Sequence, residues 1–231
     1  MNKSVIKIVL AWVSKAVLSK AMFGVILFLS AGTMNWLMGW IYLALYLLFD
    51  IATALLVAPR HPDLLIERTK LGTNVKAWDK ILVRLAAGYG PFAIWIVSGL
   101  QYRYSWLPEI PMLWQWIAAG VTAVGFAIVA WAMGANAFFV VTARLQPERG
   151  QTVASGGPYR IVRHPGYLGA SIFNLTTALM LGSVWALIPG VITVGLFVLR
   201  TSLEDKMLQA ELVGYQEYTH KTRWRLLPGI W

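Results

Sequence analysis

The chain has 231 residues, 58% of them hydrophobic and 13% charged, with twelve Trp, a mean hydropathy of +0.62 and a formal net charge of +10. That balance excludes an ordinary soluble globular protein, because the solvent of most of this chain is lipid, and its length is counted in membrane-spanning helices of about 20 residues each. The absence of Cys excludes disulfides, thiolate metal sites and Cys nucleophiles, which leaves chemistry to His, carboxylates, Arg, Tyr and backbone.

Six apolar stretches are predicted to span the membrane, over residues 11–33, 36–58, 81–100, 112–141, 166–181 and 184–203. Lys15 and Lys20 interrupt the first, so they must snorkel to the headgroups or mark a preceding interfacial segment, and five or seven spans remain compatible with the pattern. No cleaved secretory signal is expected, because this stretch carries internal Lys and lacks a small-residue cleavage site. Asp50, deep in the second span, is an intramembrane ionisable group suited either to a functional site or to a helix-to-helix hydrogen bond. Residues 59–80 read as a mixed-charge loop with one amphipathic turn, and residues 145–163 as an extended Gly-rich loop. The last two spans form a tight hairpin joined at Gly182 and Ser183, with Pro189 and Gly190 expected to bend the final helix. Ser171, Asn174, Thr176 and Thr177 on the fifth span serve interhelical packing or line a lateral path for a ligand.

Charge orients these spans. Nineteen of the twenty Lys and Arg residues, Lys70 among them, fall on the N-terminus, the second-to-third and fourth-to-fifth connections and the C-terminal region, leaving Arg103 for the opposite side. Six spans with both termini cytoplasmic satisfy the positive-inside rule, and the net charge is then a topology signal with no bearing on nucleic acid. The expectation is an all-α, polytopic bundle in the inner (cytoplasmic) membrane of a bacterium. Residues 1–141 form four N-terminal spans, and residues 142–231 a C-terminal region of loop, helical hairpin and cytoplasmic tail.

The same side receives the cluster that looks like chemistry. Gly157, Pro158, Tyr159 and Arg160, then Arg163, His164, Pro165, Gly166, Tyr167 and Gly169, place a turn and a dense set of donors just before a helix whose free amides and dipole can receive an anion. A basic loop that touches lipid phosphates accounts for the same composition. Arg60, His61 and Pro62 repeat three letters of the cluster without its flanks, so the tripeptide alone is a weak signal. Arg200 and Glu204 lie four apart on one helix face, where they either pair with each other or converge with His164 and Tyr167 through the hairpin.

Gly157-Pro158-Tyr159-Arg160, Arg163-His164-Pro165, Tyr167 and Gly169, followed by Arg200, Glu204 and a tail with Leu208, Gly214, Tyr215, Tyr218, Arg223, Arg225, Pro228 and Trp231, resemble the isoprenylcysteine carboxyl methyltransferase and phospholipid methyltransferase group of membrane enzymes. The resemblance covers the C-terminal third of the chain. It implies methyl transfer from S-adenosyl-L-methionine, contacted by His164, Pro165, Tyr167 and Glu204, to a lipidic or small hydrophobic acceptor in the bilayer. That acceptor is an isoprenylcysteine-type carboxylate, a lipid amine or a thiol. On this reading Gly157, Tyr159, Tyr167, Tyr215 and Tyr218 pack around the cofactor and Arg163 holds its carboxylate. Arg200 faces the acceptor, Glu204 serves catalysis as well as binding, and no metal is required. Members often carry two successive Glu where this chain has Glu204 and Asp205, which opens the question of the second acid's role. An NADPH-dependent sterol-type reductase and a non-catalytic lipid- or partner-binding protein are the alternatives.

Overall fold

The computed structural model describes residues 3–68, 72 and 74–231; Lys70, counted above among the basic residues, lies outside these. Helices α1 (Lys3–Ala31) and α2 (Leu37–Val57) are followed by a short α3 (Pro62–Glu67) with Pro in its first turn. Next, α4 (Ala77–Val83) passes through a π-helical stretch, Arg84–Tyr89, into α5 (Gly90–Tyr104). Then come α6 (Met112–Ala135), α7 (Pro165–Met180), α8 (Leu187–Glu211) and α9 (Tyr215–Lys221).

Among the described residues, five helical stretches are long and apolar enough to cross a membrane: Val5–Ala31, Leu37–Val57, Ala77–Tyr104, Met112–Ala135 and Leu187–Glu211. With the 16-residue α7 packed against α6 and α8, the architecture is the expected polytopic bundle of about six helices. At a rise of about 1.5 Å per residue, α7 is shorter than a bilayer core and relies on its neighbours. Exposed Leu10, Leu18, Leu29, Leu48, Leu55 and Leu113 form part of an outer surface suited to lipid.

Three boundaries differ from the sequence reading, each for a local reason. Lys20 does not snorkel: it is buried and pairs with Asp50 of α2, so α1 continues unbroken through it. Helix α6 stops at Ala135 because the Asn136 side chain takes the Phe138 amide at 2.8 Å, turning residues 136–141 into loop. Helix α8 begins at Leu187, so Pro189 lies in its first turn, where no helical hydrogen bond is lost, and it runs on past residue 203, the expected end of the span, to Glu211.

In lipid the hydrophobic effect does not drive helices together, so close approach and buried polar pairs must. A Cβ on Gly169 of α7 would stand 2.6 Å from the Gly125 carbonyl oxygen of α6, so only glycine permits this separation, and Thr122 and Thr176 bond across it at 2.8 Å. Between α2 and α5, Trp95 Nε1 donates to Tyr42 Oη at 2.9 Å inside an aromatic core.

The two ends of the bundle are distinct. Val5, Ile8 and Val9 of α1 pack with Val57, Leu64 and Val140, and the C-terminal tail folds against the loop before α7, so both ends of the described chain lie at the end that carries the connections around residues 60–80 and 136–164. Arg103 lies at the other end, beside Gly32.

Candidate functional site

A cavity of about 270 Å³ opens at the basic end, among α2, the π-helical stretch, α6, α7, α8, α9 and the loop at residues 136–154. Of the ten residues singled out in the sequence, eight line it: Tyr159, Arg163, His164, Tyr167, Arg200, Glu204, Tyr215 and Tyr218. Gly157 and Pro165 shape its walls from behind. Gly157 has φ +56°, and a Cβ there would meet the Trp131 indole nitrogen at 3.0 Å, so this turn against α6 is closed to other residues. Pro165 opens α7 directly after His164, where its missing amide is no loss.

Glu204 is the carboxylate most available to a ligand. It is half-buried, lines the cavity, and accepts from Tyr167 Oη at 2.5 Å through Oε2. It does not pair with Arg200. That guanidinium, 2% exposed, instead donates to Asp79 of α4 at 2.7 and 3.0 Å and to the Val141 carbonyl at 3.0 Å, and stands 5.2 Å from the Tyr167 ring centroid. Asp79 also accepts from the Ala143 amide at 2.6 Å, so it ties α4, α8 and the loop after α6 into one wall. The sequence reading passed over Asp79. The available signal was a lone acid at a span boundary, when Arg200 in the last span needed a partner.

Asp205, the acid whose role was open, is fully buried and accepts from Arg163 at 2.8 and 3.0 Å, Tyr215 at 3.0 Å, Gln209 at 2.7 Å and Arg225 at 2.8 Å. His164 Nε2 lies 3.2 Å from the same carboxylate and 3.3 Å from Tyr215 Oη, which orients the imidazole. Arg163 spends its remaining donors on the Thr222 and Arg223 carbonyls. Its guanidinium is thus engaged by Asp205 and the tail carbonyls rather than held open for a ligand carboxylate. The Arg163 and His164 amides donate to the Trp224 and Arg225 carbonyls at 2.8 and 3.0 Å, clipping the tail to the start of α7.

Three phenols complete the wall. Asn136 Nδ2 donates to Tyr159 Oη at 3.1 Å, and Tyr218 Oη and Thr222 Oγ1 both donate to the Tyr159 carbonyl, at 2.7 and 3.1 Å. Burial raises all three hydroxyls, Tyr218 to about 12 and Tyr159 and Tyr215 further, so they stay protonated, with Tyr215 and Tyr218 donating and Tyr159 accepting from Asn136. With Leu208, Leu212, Val153 and Ala154 they form an aromatic and apolar floor beside Glu204. Past Phe139 the cavity changes character and is lined by Tyr46, Phe49, Val129, Phe173, and Ala86 and Ala87 of the π-helical stretch. No group of three or more His, Asp or Glu suited to a metal ion occurs among the described residues.

Among the described residues, this cavity of a helical membrane bundle combines polar and aromatic groups around Glu204 with apolar ones such as Phe49, Val129 and Phe173. Residues 113–212, from α6 to just past the end of α8, match the family model for phospholipid methyltransferase, in keeping with the resemblance of the sequence to that group of membrane enzymes. No curated protein matches the chain.

Proposed function

We propose that the protein transfers a methyl group from S-adenosyl-L-methionine to a lipidic or small hydrophobic acceptor at the cytoplasmic face of the membrane. The observation that carries this reading is that His164 and Glu204, from separate parts of the motif, line one cavity with Tyr159, Tyr167, Tyr215 and Tyr218. The residues suit the cofactor. Glu204 offers a carboxylate held by Tyr167 alone among the described residues, fit for an amino group or ribose hydroxyls, and the tyrosine rings offer faces for adenine and a cation. The cofactor supplies an electrophilic methyl group on a sulfonium, and the work left to the protein is positioning and exclusion of water.

The chain's own groups divide that work. Asp205 holds His164, Arg163 and Tyr215 in place, so the loop before α7 and the start of α9 form a fixed wall. The Arg200–Asp79 pair ties α8 to α4 beside the cavity. An acceptor carboxylate needs no base. For an amine or thiol, Glu204 is the lining carboxylate free to take the proton. The cytoplasmic placement rests on the concentration of Lys and Arg connections at the cavity's end of the bundle.

Calorimetry of the purified protein tests the reading. S-adenosylhomocysteine is expected to bind in the micromolar range and NADPH not to bind, with Glu204→Gln weakening the former at least tenfold, about 1.4 kcal/mol. Wild-type binding by Glu204→Gln, or preference for NADPH, would overturn it.

A further inference from the structure

Four guanidinium groups line the cavity, and three are matched to acids. Arg163 and Arg200 present their Nε and Nη2 edge to Asp205 and Asp79, and Arg144 is bonded to Glu67 and Glu148. Arg68, just beyond α3, differs. Its Nη1 donates to the Phe139 carbonyl at 3.1 Å and its guanidinium stands 5.4 Å from the Phe139 ring, but no carboxylate lies within salt-bridge distance among the described residues. Its Nε is buried without a hydrogen-bond partner. Burial lowers Arg68 to about 10, against the opposing pull of Tyr46 and Asp50.

Arg68 as a whole is half-buried, but a guanidinium whose Nε is sealed from solvent without a partner carries a desolvation cost that a ligand oxygen would offset. Phe139, whose ring Arg68 stands against, packs both with the cluster of Tyr159, Tyr215 and Tyr218 and with the apolar cluster of Phe49, Val129 and Phe173, so Arg68 lies where the apolar part of the cavity begins. We propose that Arg68 is a binding residue for an oxyanion, phosphate or carboxylate, carried by the acceptor, which restricts acceptors to amphiphiles bearing such a group. The unpartnered Nε belongs to the edge that Arg163 and Arg200 turn to carboxylates, the edge whose geometry suits a two-oxygen anion. This inference rests on the methyltransferase reading only in taking the apolar half as the acceptor's chamber.

The test is calorimetry of the full chain in maltoside micelles with hexadecyl phosphate, palmitate and hexadecanol, alongside S-adenosylhomocysteine. Wild type is expected to bind hexadecyl phosphate or palmitate at least tenfold more tightly than hexadecanol, and the better of the two names the oxyanion. Arg68→Gln should lose that preference while keeping its S-adenosylhomocysteine affinity within threefold. Arg68→Lys, which keeps the charge and loses the fork, should fall between; if the Gln variant does not fold, wild-type affinity in the Lys variant overturns the proposal. It is also overturned if Arg68→Gln binds the anions as wild type does, if its loss is equal for S-adenosylhomocysteine, or if inorganic phosphate competes as well as the alkyl phosphate. Absence of S-adenosylhomocysteine binding with the anion preference intact would instead remove the methyltransferase reading and leave the Arg68 site standing.

Discussion

Replacing Asp205 by Asn should separate the acid that holds the site together from the acid that meets a ligand. The change keeps the shape but removes the charge and gives donors to an atom surrounded by donors: Arg163, Gln209, Tyr215 and Arg225 all point at this carboxylate. Arg225 has a side chain 33% exposed, so its share is screened and small, and the loss is dominated by stranding Arg163, whose side chain is 6% exposed. Breaking a buried pair of this kind costs about 3–5 kcal/mol. For a chain of this size each kcal/mol moves Tm by about 2–4 °C, so a fall of about 6–20 °C is expected in detergent. Hydrogen exchange supplies a second reading, because the Arg163 and His164 amides are protected by the Trp224 and Arg225 carbonyls and should become labile as the tail releases. A Tm within about 2 °C of wild type with those amides still protected would refute the reasoning. Glu204→Gln is the control: one hydrogen bond at a half-buried site, a small change in Tm, and a large change in S-adenosylhomocysteine affinity.

Asp79→Asn should destabilise by about 3–5 kcal/mol by stranding buried Arg200, and a double variant that also makes Arg200 Met should recover part of it; purely additive losses in a double-mutant cycle would show that the pair is not coupled. Asp50→Ala leaves Lys20 buried beside Phe23 and Tyr46, so the thermal stability should drop by several degrees and return in part with Lys20→Met, while no change in the single variant counts against an intramembrane pair. Gly169→Ala forces a methyl against the Gly125 carbonyl and the Val129 side chain, for a loss of about 1–3 kcal/mol read by thermal unfolding; an unshifted transition would mean that α6 and α7 are not this close.

Hydropathy and charge made the bundle legible, because a lipid solvent demands long apolar helices and the positive residues cluster on alternate connections. The motif made most of the candidate site legible: Tyr159, Arg163, His164, Tyr167, Arg200 and Glu204 line one cavity. Partner choice was not legible. Spacing put Arg200 and Glu204 on one face, yet each bonds across to another helix, to Asp79 and Tyr167, because interhelical pairing satisfies buried charge at sequence separations that periodicity cannot sense. Asp205 looked like a weakened copy of a second Glu, and its role emerged only when the tail folded back to surround it. The end of α6 was missed for a smaller reason, since Asn136 acts through one hydrogen bond and leaves the hydropathy profile unchanged, and the end of α8 because the helix continues past the apolar run to Glu211.

The π-helical stretch at Arg84–Tyr89 has a consequence for how this chamber can vary. Bonding from i to i+5 accommodates an extra residue in a turn, so the rod on either side is out of phase with a regular helix by about one residue's angular step, about 100°. Asp79 sits before the stretch and Pro91 after it, the first aimed at α8 and the second at the cavity. Excising a single alanine there would leave an equally apolar rod of ordinary winding, invisible to any hydropathy scan, with its two halves aimed in mutually incompatible directions. Length polymorphism at this point is therefore a rotation, and a homologue lacking the residue must have moved its acid or reshaped its chamber.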